Sequence, residues 1–435
     1  MKAAMLEIQQ YLVLHPVVKM NTKLKTRYMA LLKHFVSESG SRDVWDKQML
    51  KLYSSKLGVA DSQDKIKDLS FLEKFKFFHY RYFLLTDCLF ISSFDNSKKG
   101  EKALNKIIGF HGERYRNKMQ AVFNAFYGTG DRETIATIPG LEPVYKVIWK
   151  NRDFYSRAEK RIMITANMSA GKSTLLNALL GKKVNKMQNA TCTAKIHYLH
   201  NKAGEDGLIY EWDHDLELDA THEILMDDNE ANETTEIHVG SRFRSIAETD
   251  TKVCFIDTPG VNSSMEKEHR EMSNETIKNT KCDLLLYLFN AENIGSDDDI
   301  RHLKYVKENY SGDIIFLVNR MDRFKKNVDS VSQTMESVEK DLQKIGFKEP
   351  KVYPISAYAA YLAKMSMYGE ELSEDEQDDL DFLKRKLSRS EFAYETYYPC
   401  EIEVPKDKCN ELSDVLVHSG ILSLENIIFD QEGDH

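Results

Sequence analysis

A run of small residues ending in lysine and serine, set between an apolar stretch and a leucine-rich one, holds the most reactive chemistry of this 435-residue chain. Ile162, Met163 and Ile164 read as a short strand, Ala166 to Gly171 as a loop, and Leu175, Leu176, Ala178, Leu179 and Leu180 as the buried side of a helix. Successive backbone N–H groups at a helix N-terminus bind anions, so Asn167, Met168, Ser169, Ala170, Gly171, Lys172, Ser173 and Thr174 form a candidate phosphate loop. Gly171 lets the backbone approach phosphate closely, Lys172 supplies a point charge to the β and γ phosphates, and the Ser173 hydroxyl suits Mg²⁺. Ala166 stands where this pattern has its first glycine, and its extra methyl costs backbone freedom without removing the site.

Two later stretches have the chemistry to complete the site. DTPG, Asp257 to Gly260, follows the apolar VCFI; its carboxylate can hold Mg²⁺ through water, and the Gly260 N–H can sense a γ-phosphate. NRMD, Asn319 to Asp322, follows DIIFLV, and the Asp322 carboxylate can accept hydrogen bonds from the guanine N1–H and 2-amino groups. Adenine offers no such pair of donors.

The elements that position these residues alternate as strand and helix, the pattern of a doubly wound α/β sheet. KIHYL (195–199), VCFID (253–257), DLLLYLF (283–289), DIIFLV (313–318) and VYPI (352–355) are the expected strands, the last four apolar enough to be covered on both faces. Residues 201–250 and 363–407 read as insertions whose acidic runs are solvated surface. SGILSLENIIF, 419–429, reads as a closing helix.

Upstream, residues 1–127 have helical spacing throughout and predict an all-α bundle, with Phe71 to Ile91 apolar nearly all round and therefore central. Residues 128–160 supply a glycine-rich linker and a connecting helix from Leu141 to Lys160. A phosphate-loop α/β domain over 161–430 follows.

Composition bounds the rest. With 42% apolar and 30% charged residues the chain is neither disordered nor membrane-spanning by pattern, and it lacks a signal-peptide pattern, so a cytoplasmic position is expected. Six cysteines without a CxxC pair predict scattered reduced thiols in place of a disulfide or metal framework. The net charge of −9 is unevenly shared: residues 1–150 hold 25 Lys and Arg against 15 Asp and Glu. Basic and acidic residues alternate there without a dense cluster, which argues against nucleic acid as a partner.

In order, the phosphate loop, TCTA, DTPG, NRMD and PISA resemble the translation-factor-related GTPases, and within them the dynamin-like large GTPases, over 161–429. The resemblance implies GTP and GDP as ligands with Mg²⁺ held by Ser173, Asp257 and a switch threonine. That residue is Thr193, with Thr191 as the neighbouring alternative. It makes Ser169, Lys172 and Thr193 the catalytic set, Ser169 helping to hold K⁺ or Na⁺. Asn319, Arg320 and Asp322 would contact guanine, with Ser356 and Ala357 flanking it.

Two residues depart from the family pattern. Arg320 replaces a lysine, and its planar guanidinium can still stack on a base. Met168 replaces a glutamine, and a thioether does not orient water, so hydrolysis is expected to be slow or partner-stimulated.

These features predict GTP hydrolysis, with nucleotide-dependent pairing of GTPase domains that moves the helical bundle. Two alternatives remain at this level. One is a regulatory GTP-binding switch with negligible hydrolysis whose bundle docks a protein partner, and the other is a nucleic-acid-associated GTPase. The resemblance leaves peripheral membrane attachment open, although no amphipathic basic helix stands out.

Overall fold

In the computed structural model the aromatic helices of the first third and the apolar strands beyond them fold into two compact units. One holds Met1–Arg157 and Lys202–Ala220, the other Ala158–Asn201 and Thr221–His435. The structure describes residues 6–38, 43–59, 73, 77–130, 132–167, 169–184, 195–221, 223–225, 234–245, 251–259, 267–325, 329–402, 404 and 410–429.

The first unit is built on helices whose starts the sequence marks. Thr22–Glu38 begins where Asn21 accepts the Leu24 N–H at 3.0 Å, and Ser97–His111 where Asn96 accepts the Lys99 N–H at 3.1 Å. Arg81–Ser92 is buried from Tyr82 onwards, as expected of a central helix. Of the preceding expected apolar run, Phe71, Leu72 and Phe75 lie outside the described residues. The connecting helix is Leu141–Ser156, shorter than expected, because Arg157 turns to extended geometry.

The central helix buries an acid, Asp87, at 0% exposure. The Tyr11 and Tyr28 hydroxyls donate to its two carboxylate oxygens, the second at 2.5 Å, and His15 Nε2 lies 3.3 Å away. Burial and then the Asp87 charge push both tyrosine hydroxyls well above their ordinary pKa, which keeps them donors. Asp87→Ala leaves these groups buried without their acceptor, so it is expected to cost about 3–5 kcal/mol of stability. Denaturant unfolding followed by helical circular dichroism checks this; a loss under about 1 kcal/mol would mean that the cluster adds little.

Residues 202–220 were expected within a peripheral insertion, yet they group with the helices. Strands Tyr210–Trp212 and Leu216–Glu217 pair as an antiparallel hairpin. Leu208, Tyr210 and Leu218 join the helical core, and the Tyr210 hydroxyl donates to the Leu6 carbonyl at 2.8 Å. Burial of a tyrosine and two leucines outweighs their distance in sequence.

The second unit is an α/β sheet. We label its strands with the hairpin counted as β3 and β4: β1 Lys160–Ala166, β2 Ile196–Asn201, β5 Glu236–Ser241, β6 Val253–Asp257, β7 Leu284–Asn290, β8 Asp313–Asn319 and β9 Lys351–Pro354. They stand in the order β5-β2-β6-β1-β7-β8-β9. All pair in parallel except β2 with β6.

The residues forming β5 were read from sequence as part of an insertion, with no strand expected there. Helix Lys172–Leu180 buries Leu175, Leu176, Ala178, Leu179 and Leu180. Each fully buried leucine contributes roughly 1.5–3 kcal/mol, which anchors the loop before it. Register aligns Ile164 with Asp257, Ala166 with Leu288, Asn290 with Asn319 and Val318 with Pro354. The C-terminal ends of β1, β6, β8 and β9 therefore share one edge, where open α/β sheets bind ligands.

Residues 374–387, from the second expected insertion, form a helix with a capping box in which Ser373 and Glu376 bond each other's backbone. Leu380, Leu383 and Leu387 are buried, so this acidic run covers apolar structure. The closing helix is Ile421–Phe429. Among the described residues no single helix is long and apolar enough to cross a membrane, and the described cysteines, Cys88, Cys254, Cys282 and Cys400, form no disulfide.

Candidate functional site

The phosphate loop starts where β1 ends. Asn167 donates its side-chain amide to Asp299, in helix Asp297–Asn309. Ser169 is exposed and takes a left-handed φ of 62°, uncommon for a residue with a side chain and typical of functional loops. Gly171 has φ 91°, and a Cβ there would collide with the Asn319 amide, so glycine is required twice over. Leu175 N–H then bonds the Gly171 carbonyl at 2.9 Å and the helix begins.

The Lys172 ammonium pairs with the Asp257 carboxylate, which is 8% exposed. Thr258 fixes the start of the DTPG loop by donating its hydroxyl to the Ile164 carbonyl at 3.1 Å. These contacts join the C-terminal ends of β1 and β6. Ser173 and Thr174 occupy the first helical turn and are half-buried. Ser173 and Asp257 offer hard oxygen donors, the kind Mg²⁺ takes.

Asn319 connects the two ends of the site. Its Nδ2 donates to the Ala170 carbonyl at 2.8 Å, and its Oδ1 accepts the Ala357 N–H at 3.0 Å. Ser356 donates its hydroxyl to Asp322 Oδ1 at 2.7 Å and also accepts the Ala359 N–H at 3.3 Å. Burial raises the Asp322 pKa, while the Ser356 hydrogen bond pulls it back. Arg320 adopts a left-handed φ of 68°, and its guanidinium lies 3.5 Å from the Glu292 carboxylate, which Arg323 meets at 3.1 Å.

Asn167, Ser169, Ala170, Gly171, Lys172, Ser173, Thr174, Asp257, Asn319, Arg320, Asp322, Ser356 and Ala357 thus belong to one strand-end edge. Met168, Thr191, Thr193 and Gly260 lie outside the described residues.

Several supports were not read from the sequence. Lys386 donates to the carbonyls of Asp322 and of Phe324, the latter at 2.6 Å, although it lies in a stretch expected to be solvated. Burial lowers its pKa, with the Asp322 charge opposing. His302 bonds Thr165 of β1 at 2.9 Å.

Burial, with the Arg270 charge adding, pushes His302 down to about 4. An unfolded histidine titrates near 6.5, so between about 4 and 6.5 the unfolded chain binds more protons and folding weakens as pH falls. The His302 contribution is complete above the unfolded value and amounts to about 3 kcal/mol lost below 4. His302→Gln is expected to flatten this part of the stability–pH curve in thermal unfolding. An unchanged slope would mean that His302 is not neutral in the fold.

A strand feeding a glycine-kinked phosphate loop, with acids at the ends of neighbouring parallel strands, defines a P-loop nucleotide-binding domain. Residues 162–321 match the family model described as Dynamin family. The matched span takes in the phosphate loop, Asp257 and Asn319.

Among its curated relatives, "Dynamin-like protein A" of Bacillus subtilis is 27% identical over 229 residues, 50% of this chain and 18% of that protein. "Probable transmembrane GTPase FZO-like, chloroplastic" of Arabidopsis thaliana is 24% identical over 240 residues, 54% of this chain and 23% of its own length. The chain thus spans only about a fifth of the length of these relatives. A solved oligomerised bacterial dynamin pair is 16% identical and aligns over 94% of this chain and 61% of its own, with a TM-score of 0.38.

Proposed function

We propose that this protein hydrolyses GTP to GDP and phosphate, with Mg²⁺, at the strand-end edge between the phosphate loop and Asp322. The observation that supports this most is the bridge made by Asn319. It ties the phosphate loop at Ala170 to the loop of Ser356 and Ala357, so the phosphate-binding and base-selecting parts are one hydrogen-bonded piece.

In this reading Asp322 accepts the guanine N1–H and 2-amino groups on its remaining lone pairs, and Arg320 stacks on the base. Lys172 exchanges the Asp257 carboxylate for phosphate oxygens when nucleotide enters. Ser173 and Asp257 together with Thr193 would hold Mg²⁺, which would supply charge neutralisation on those oxygens. Water adds in line to the γ-phosphorus, the bond to the β–γ bridging oxygen breaks, and GDP leaves. Ser169 contributes to a K⁺ or Na⁺ site beside the phosphates.

The same resemblance supports pairing of two GTPase domains across the nucleotide, which would move the helical unit. Light scattering with GDP and aluminium fluoride, against GDP alone, tests it together with the concentration dependence of phosphate release. Dimers in the first state and turnover per molecule that rises with concentration are expected. Monomers in both states with constant turnover would overturn pairing, and tight GTP binding without turnover would favour the regulatory switch.

A further inference from the structure

The far end of the same sheet, where β1 enters, carries a second constellation. Glu159 stands immediately before β1, β2 and β6 place His200 opposite Cys254, and β1 and β6 place Arg161 opposite Cys254. Register alone therefore gathers a carboxylate, an imidazole and a thiol that are far apart in sequence. Glu159 Oε1 lies 3.2 Å from His200 Nδ1, and the donor atoms of Glu159, His200 and Cys254 all lie within 4.8 Å of one another. Cys254 is fully buried and His200 7% exposed, while Glu159 keeps one side toward solvent.

A further histidine supports the first. His200 Nε2 lies 3.2 Å from His238 Nδ1, the two rings are stacked at 5.5 Å and 11°, and His238 stacks in turn on Tyr198 at 4.6 Å. His238 Nε2 lies 3.7 Å from Glu236 Oε2.

We propose that Glu159, His200 and Cys254 are the protein ligands of a zinc-class divalent metal site, with His238 orienting His200. One oxygen, one nitrogen and one sulfur donor match Zn²⁺ or Co²⁺; a thiolate is too soft for Mg²⁺ or Ca²⁺. Tetrahedral zinc with bonds of about 2.0–2.1 Å sets adjacent oxygen and nitrogen ligands roughly 3.3 Å apart, close to the spacing of Glu159 and His200.

The hydrogen-bond chain accommodates a metal in one of its two tautomeric arrangements. When His200 Nε2–H donates to His238, the bare Nδ1 lone pair faces the Glu159 carboxylate, and only a cation between them relieves the contact. A proton is the competitor: on Nδ1 it reverses the chain, with His238 donating to His200. Metal entry displaces that proton and the Cys254 thiol proton to solvent. Three protein ligands leave a fourth coordination position, for water or an exchangeable donor.

Chelator-stripped, nucleotide-free protein titrated with Co²⁺ provides the test, because no cysteine is among the described residues of the nucleotide site. One equivalent is expected to give a thiolate-to-cobalt charge-transfer band that Zn²⁺ displaces. Cys254→Ser is expected to lose the band, and His238→Gln to keep it while weakening affinity about 10–100-fold. Glu159→Gln, at a partly exposed position, is expected to weaken binding at least about 10-fold and covers the case in which Cys254→Ser does not fold. Absence of the band in wild type, its survival in folded Cys254→Ser, or unchanged affinity in Glu159→Gln would each overturn the site in favour of a proton-filled cluster.

Discussion

Lys172→Ala is expected to lower phosphate release from GTP by about 10²–10³-fold or more, because it removes a preorganised positive charge from the phosphates. Lys172 pairs with an Asp257 carboxylate that is nearly out of water. The alanine variant therefore also leaves that acid uncompensated, at a cost of about 1–3 kcal/mol in stability. Circular dichroism and thermal unfolding separate the two effects, since a folded variant without turnover isolates the chemical role. Wild-type turnover in Lys172→Ala would remove the phosphate loop from the mechanism.

Asp322→Asn is expected to weaken GTP binding by about 10²–10⁴-fold, from two charge-assisted hydrogen bonds of about 1.5–3 kcal/mol each. The substitution preserves shape, and an amide oxygen can still accept the Ser356 hydroxyl that now bonds Asp322 at 2.7 Å. What changes is that the variant presents a donor where guanine also presents one. A base with oxygen at position 2 should therefore regain affinity, and competition with xanthosine triphosphate reads this directly. Burial raises the Asp322 pKa, so wild-type affinity should fall as acidification protonates the carboxylate, a fall that Asp322→Asn should lack. Equal GTP affinity in the variant would place the base elsewhere.

The phosphate loop was legible because strand, loop and helix are contiguous, and the apolar runs of β6, β7 and β8 lie close to their observed spans. Asp257, Asn319 and Asp322 could be assigned to strand ends for the same reason. β5 was hidden, since in EIHVGS the polar Glu236 and His238 break the apolar run that marks a covered strand. The hairpin of Tyr210 was missed because its partner is the helical core, a preference that no local pattern carries.

Asp299, His302 and Lys386 reach the site only through the fold, and Lys386 lies in a stretch whose acidic run read as solvated surface. The left-handed backbone of Ser169 and Arg320 is likewise imposed by what surrounds it, since neither residue type prefers that conformation. Glu159, His200 and Cys254 have no motif spacing at all, and strand register alone brings them together.

Phosphate release from GTP, with ATP as control, in Mg²⁺ and K⁺ and alongside Lys172→Ala, tests GTP hydrolysis at this site. Release from GTP alone is expected, lost in the variant while its fold persists. Equal release from ATP, or release undiminished in Lys172→Ala, would contradict it.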